Sequence, residues 1–225
     1  MILSTRHRFL FVHIPKTAGT AMHVALMAHA DPQPRPLIRR MSRHLPVVEA
    51  PGLAHFRIHD SAAFICAKLS PVIWDGFLSF AVVRNPYDHA VSHYEYMKQF
   101  RTRRIAEQVG RMGFEAFLDW RIRPKLDRRI FLTLPSQSWF VVGKDGALLV
   151  NRILRFEHLA DGAARLFADL GLPDPMLQRL NPTKSRDPGG LAGSYEATTK
   201  AMVEAIYGDD FERFGYAREV PAGVA

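Results

Sequence analysis

Phe9-Leu-Phe-Val-His-Ile-Pro-Lys-Thr-Ala-Gly-Thr20 restricts the fold of this chain more than any other stretch. Phe9 to Ile14 is an apolar run of strand length, rich in aromatic and β-branched residues. Pro15 and Gly19 bracket a tight turn. Ala21, Val24, Ala25 and Ala28 then recur at i, i+3, i+4 and i+7, the spacing of one helix face. A strand, a short loop with a lysine, two hydroxyls and a glycine, and a helix N-terminus together describe a phosphate-binding turn. The unpaired N–H groups and positive dipole end of the helix attract an anion. Gly19 admits the backbone close to that anion, and Lys16 adds a point charge. The loop is not a Walker A motif, because Lys16 precedes the glycine instead of closing a longer glycine-rich run.

The rest of the composition bounds what such a turn can serve. A chain of 225 residues suits one domain, read here as 1–225. Hydrophobic residues at 48% and charged residues at 23% are those of a soluble globular protein. Lys+Arg 30 against Asp+Glu 22 leaves +8, which favours anionic ligands such as nucleotides, acidic glycans, nucleic acid or membrane surfaces. Nucleic acid is disfavoured, because the basic residues are dispersed and no recognised binding motif occurs. The single cysteine, Cys66, excludes an intramolecular disulfide and a cysteine-rich zinc site, and it reads as a small buried residue. No run reaches the ~20 apolar residues of a membrane helix. The first strand follows a short polar lead-in with no room for a signal peptide, so the expected location is cytoplasmic. Nothing has metal-ligand spacing.

Phe77 to Val83 is a second buried strand. It ends in the turn Arg84-Asn-Pro-Tyr-Asp88, and a helix runs from about Tyr87 to Phe100 with Asp88 opposing its dipole. Arg84 then leaves a strand's carboxyl end, with Ser92 two turns into the helix, and that spacing lets both reach a second phosphate. Ala54 to Ser61 reads as a short extended segment entering a helix over Ala62–Leu69, with Asp60 or Ser61 as its N-cap. His59 thereby lies at a strand-to-helix junction, and in a parallel α/β sheet such junctions gather where ligands bind. Ser138 to Val150 reads as a β-hairpin about Asp145-Gly146. Asn151 to Phe156 reads as a strand, and Glu157 to Leu170 as a helix closed by Gly171 and Pro173. A last helix starts near Ser194 and runs toward Tyr207. The alternation predicts a three-layer α/β domain with a mainly parallel central sheet flanked by helices. Arg39, Arg40 and Arg43 form either a patch for an acidic acceptor or a solvated basic face. Lys184 and Arg186, in the loop 181–193, either close over nucleotide or substrate or remain solvated.

His13-Ile-Pro-Lys-Thr-Ala-Gly-Thr20 resembles the 5'-phosphosulfate loop of sulfotransferases that use 3'-phosphoadenosine 5'-phosphosulfate (PAPS). The closest resemblance is to the branch of carbohydrate 2-O-sulfotransferases and their soluble bacterial relatives. Val82 to Tyr94 resembles the 3'-phosphate motif of that family, with Arg84 and Ser92 at its arginine and serine positions. Ile153 to Leu159 and Asp209 to Tyr216 resemble two further family segments, in the expected order. The resemblance implies a P-loop-like domain that moves a sulfuryl group from PAPS to a hydroxyl or amine acceptor without a metal. It assigns the 5' end of the donor to Lys16, Thr17, Ala18, Gly19 and Thr20, and the 3'-phosphate to Arg84 and Ser92. Lys16 also stabilises the leaving phosphate. His59 is the implied base, with His55 as second candidate and His13 supporting the loop. His89 departs from the arginine of many relatives, and Ala21 from a common serine. Two other readings start from the same turn: a small-molecule kinase with an altered P-loop, and a non-catalytic nucleotide- or polyanion-binding protein. The kinase lacks its Walker A glycines and magnesium-binding acid. The acceptor, carbohydrate or other small molecule, has no readable code.

Overall fold

The computed structural model describes residues 1–32, 45, 47–122, 134–177, 193 and 195–221. The chain divides into two compact units, the first formed by 1–83 and 139–180 and the second by 84–138 and 181–225.

The first unit carries a four-stranded, mostly parallel sheet flanked by helices, in the order β1 (Ile2–Ser4), β2 (Phe9–Val12), β3 (Leu78–Val83) and β4 (Arg152–Arg155). Strand β2 runs parallel to β3 and β3 parallel to β4, while β1 pairs antiparallel with β2, Leu3 opposite Leu10. Parallel strands covered on both sides read as continuous apolar runs, which is why β2 and β3 stand out in the sequence. Strand β1 does not: it is three residues long, and Ile2, Leu3 and Ser4 lie inside what reads as a polar lead-in. Asn151 fixes the register of β4, its Oδ1 accepting from both the N–H and the hydroxyl of Ser79 while its own N–H donates to the Ser79 carbonyl.

Phe9, Phe11, Phe80, Val82 and Leu154 of the sheet pack with Met22 and Leu26 of α1 (Gly19–Met27). Ala163, Leu166 and Phe167 of α7 (Leu159–Asp169) complete this core. Each fully buried large side chain there contributes about 1.5–3 kcal/mol. The inward face of α1 is therefore Met22, Ala25 and Leu26, whereas Val24, expected inside, is 66% exposed. Small residues repeat too freely to fix a helix's rotation; the two large ones do so. Helix α2 (Ala62–Leu69) begins where expected, and the two candidate caps divide the work. Ser61 Oγ accepts from Phe64 N, while Asp60 Oδ2 accepts from Arg57 N and closes the preceding turn. No strand forms in that preceding segment; Ile58 and His59 make a turn and the residues around them have no regular structure. A short helix, α3 (Pro71–Asp75), follows, started by Pro71 at its first position. The expected hairpin contracts to one antiparallel bridge, Val142 with Leu148, with Gly146 at φ 78 in its turn. Gly171, at φ 65, closes the helix before it as anticipated.

The second unit is helical: α4 (Pro86–Lys98), α5 (Arg103–Gly110), α6 (Phe114–Ile122) and α8 (Ala197–Phe214). Tyr87 and Ala90 of α4, Leu118 of α6, and Val203, Tyr207 and Phe211 of α8 form its core. Helix α8 runs on past a break at Tyr207, where the chain was expected to leave the helix. Among the described residues no helix is long and apolar enough to cross a membrane.

Candidate functional site

In the first unit the loop after β2 has an unusual backbone. Lys16 (φ 67) and Ala18 (φ 60) are both left-handed, a conformation that costs a non-glycine residue about 1–3 kcal/mol. Alternating left-handed residues turn successive N–H groups inward and make an anion-binding hollow. Helix α1 starts from this loop with no side-chain cap on its N-terminus, so its first N–H groups are available to an anion. Thr17 is fully buried, and its hydroxyl donates to the Ile14 carbonyl at 3.0 Å. Its side chain thus holds the loop's shape, leaving its amide for a ligand. Lys16 is half-buried and Thr20 exposed.

Gly19 has a reason the sequence does not disclose. Its φ is not positive; a Cβ built there would lie 1.8 Å from His13 Nε2. The ring of His13 fills the space that any side chain would need. That ring stacks on Phe11 at 5.6 Å and meets His59 edge-on at 4.6 Å. Burial, reinforced by the charges of His59, the N-terminal amine and His23, pushes the His13 pKa down to about 2.

His59 is brought to the same loop. Its Nδ1 lies 2.9 Å from the His13 carbonyl, and a carbonyl can only accept, so Nδ1 carries the proton. In the neutral ring the lone pair is then on Nε2, the arrangement a base requires. Burial lowers its pKa from 6.5, with the His13 carbonyl and Asp60 acting in the opposite direction. His55 is half-buried. His23 packs beside His13 at 6.3 Å between ring centres.

These shifts give a stability prediction. A neutral buried histidine has a folded pKa below its unfolded one. Between the two values the unfolded chain binds more protons, so stability is full above 6.5 and falls as the pH drops. His13 alone accounts for about 1.4 kcal/mol per pH unit below 6.5. His59 and His23 act in the same direction. Denaturation midpoints are expected to fall clearly from pH 7 to pH 5, and a His13→Leu variant to flatten that slope. An equal midpoint at both pH values would show that His13 is not held neutral.

In the second unit Arg84, only 5% exposed, donates through Nε to Asp88 Oδ2 at 2.5 Å. Its backbone is clamped at both ends by one side chain: Gln137 Oε1 accepts from Arg84 N, and Gln137 Nε2 donates to Arg84 O, each at 2.8 Å. Gln137 is held in turn by Asp210, whose carboxylate accepts from the Gln137 and Ser138 amides. Burial raises the Asp210 pKa against those hydrogen bonds. Ser92 is buried on α4, one turn beyond Asp88. Nearby, Arg121 donates to the Tyr207 hydroxyl at 2.7 Å. That hydroxyl also shares a hydrogen bond with His89 Nδ1, at 3.1 Å. His89 is thus a fully buried, hydrogen-bonded member of the helix packing.

Sequence reasoning read Asp88 as a dipole partner, although its spacing of four from Arg84 is an ion-pair signal. Gln137 and Asp210 gave none, being 53 and 73 residues from their partners. Lys184 and Arg186, like Arg39, Arg40 and Arg43, lie outside the described residues. A separate open cavity of about 580 Å³ between β4 and α7 is lined by Arg152, Arg155, His158 and Arg165 among others. It contains none of the predicted residues, and Asp169 pairs with its Arg152.

A model of the sulfotransferase family matches residues 1–217. Neither a curated protein nor a solved structure matches the chain.

Proposed function

Since the chain belongs to the sulfotransferase family, we propose that it moves a sulfuryl group from PAPS to a hydroxyl or amine of a carbohydrate or small molecule. The reading treats 1–225 as one three-layer, P-loop-like domain. The loop after β2, through its amides, Lys16 and Thr20, receives the 5'-phosphosulfate; Arg84 and Ser92 receive the 3'-phosphate. His59 Nε2 takes the acceptor's proton as the new S–O or S–N bond forms. The sulfur–oxygen bond to the phosphate breaks in line, and Lys16 meets the charge left on that phosphate. Donor chemistry needs no metal here: the transferred group is already activated by its phosphate.

The observation that carries this reading is the strained, uncapped loop with His59 hydrogen-bonded to the His13 carbonyl that leads into it. The base is held in the tautomer it needs by the residue that leads into the anion site. Family membership also favours sulfuryl over phosphoryl transfer, and so the sulfotransferase over the kinase.

Calorimetric titration with adenosine 3',5'-bisphosphate, beside ATP and without magnesium, tests the donor site. Selective binding of the bisphosphate is expected. His59→Ala should retain that binding while sulfuryl transfer falls by about 10²–10⁴-fold. Preference for ATP would refute the donor assignment; near-normal turnover in folded His59→Ala would refute the base.

A further inference from the structure

We infer that His13 is a positioning residue that ties the base to the phosphate loop, its carbonyl holding His59 and its ring holding Gly19. The inference rests on the reading of His59 as base and goes beyond it. The two ends of one residue face two parts of the reaction. The carbonyl accepts from His59 Nδ1 and so selects the tautomer with the lone pair on Nε2. The ring, 5% exposed, occupies the space beside the first residue of α1, with Nε2 and Cδ2 at 1.8 and 1.9 Å from where a Cβ at residue 19 would lie. It cannot swing aside, because Phe11 stacks on it and His59 abuts it. Its Nδ1 has no hydrogen-bond partner, so the ring is held by shape alone. Moving the loop therefore moves the ring, and moving the ring disturbs the base. Glycine at residue 19 is set by this histidine as well as by any anion.

Two measurements test the inference. The first is ¹⁵N NMR of the histidine rings. In the unaltered protein His59 should be protonated at Nδ1 and unprotonated at Nε2; the opposite tautomer would overturn the proposal. The groups facing His59 are His13, Asp60 of its own segment and the amine of Met1. In His13→Ala water replaces the ring, and the His59 titration should move up toward the ordinary 6.5. An unchanged titration and tautomer ratio would show that the ring does not govern the base.

The second measurement is a double-mutant cycle read by binding of adenosine 3',5'-bisphosphate and by turnover. Gly19→Ala alone should weaken both by about tenfold or more, because the added methyl meets the His13 ring. In a His13→Ala background the space is vacant, and the same change should cost less than about threefold. Additive losses would overturn the inference. His13→Val, which empties the same space with a residue suited to a strand end, replaces His13→Ala should that variant not fold. Failure of the base reading is distinct: His59→Ala would keep turnover, while the cycle would still report on the loop through nucleotide affinity.

Discussion

Lys16→Ala lowers the turnover number by about 10²–10³-fold, the loss expected when one group opposite a developing charge is removed. Alanine is the informative replacement because it carries the same Cβ as lysine and so keeps the backbone preference at φ 67 unchanged. The ammonium and the methylene stem that carries it are lost while the backbone strain is kept. Affinity for adenosine 3',5'-bisphosphate should fall by much less, since the contacts proposed for the loop amides, Arg84 and Ser92 do not involve the ammonium. Lys16→Gly separates charge from strain. It should be as inactive as Lys16→Ala, yet stabler by about 1 kcal/mol, because glycine enters the left-handed region freely. The left-handed backbone at Lys16 is then a cost the fold bears to aim the loop. A loss of turnover under about tenfold in Lys16→Ala would remove Lys16 from the charge-stabilising role.

The contrast between loop and clamp explains what could be read from the sequence. The strand, loop and helix start within Phe9–Thr20 were legible because all their causes are local: an apolar run, a proline, a glycine and a helical face. The same holds for Ser61 before α2 and for Gly171 after α7. Local pattern misjudged Val24, since a stripe of alanines and a valine competes with Met22 and Leu26 for the inner face. It expected a strand-to-helix junction at His59, where the structure has a turn and no strand. That residue's place is set by a hydrogen bond to a carbonyl 46 positions away. Gly19 was singled out as an approach for an anion, whereas the His13 ring that also requires a glycine there projects from six residues earlier. The Gln137–Asp210 support of Arg84 was invisible for the same reason: nothing in either neighbourhood announces a distant partner. His89 marks the remaining limit. Against the family pattern it is only a substitution, whereas its burial against Tyr207 and Arg121 gives it a packing role of its own.

Arg84 carries the other large expected effect, and it is one of stability before it is one of binding. Its side chain and that of Asp88 are each 7% exposed. Removing one member of such a pair takes the close counter-charge from a buried group, a loss of up to about 3–5 kcal/mol. Arg84→Met and Asp88→Leu should each lose about that much in urea denaturation. The double variant should lose less than the sum, because both members of the close pair go together. The backbone stays in place throughout, since Gln137 grips both the N–H and the carbonyl of Arg84 independently of its side chain. The double variant is therefore the means of separating the guanidinium's part in stability from the 3'-phosphate role proposed for it. It should be folded and nearly as stable as the unaltered protein, and still bind adenosine 3',5'-bisphosphate no better than adenosine 5'-phosphate. Discrimination between those two nucleotides in the stable double variant would move the 3'-phosphate site away from Arg84. A single-variant cost below about 1 kcal/mol would instead mean that water reaches the pair.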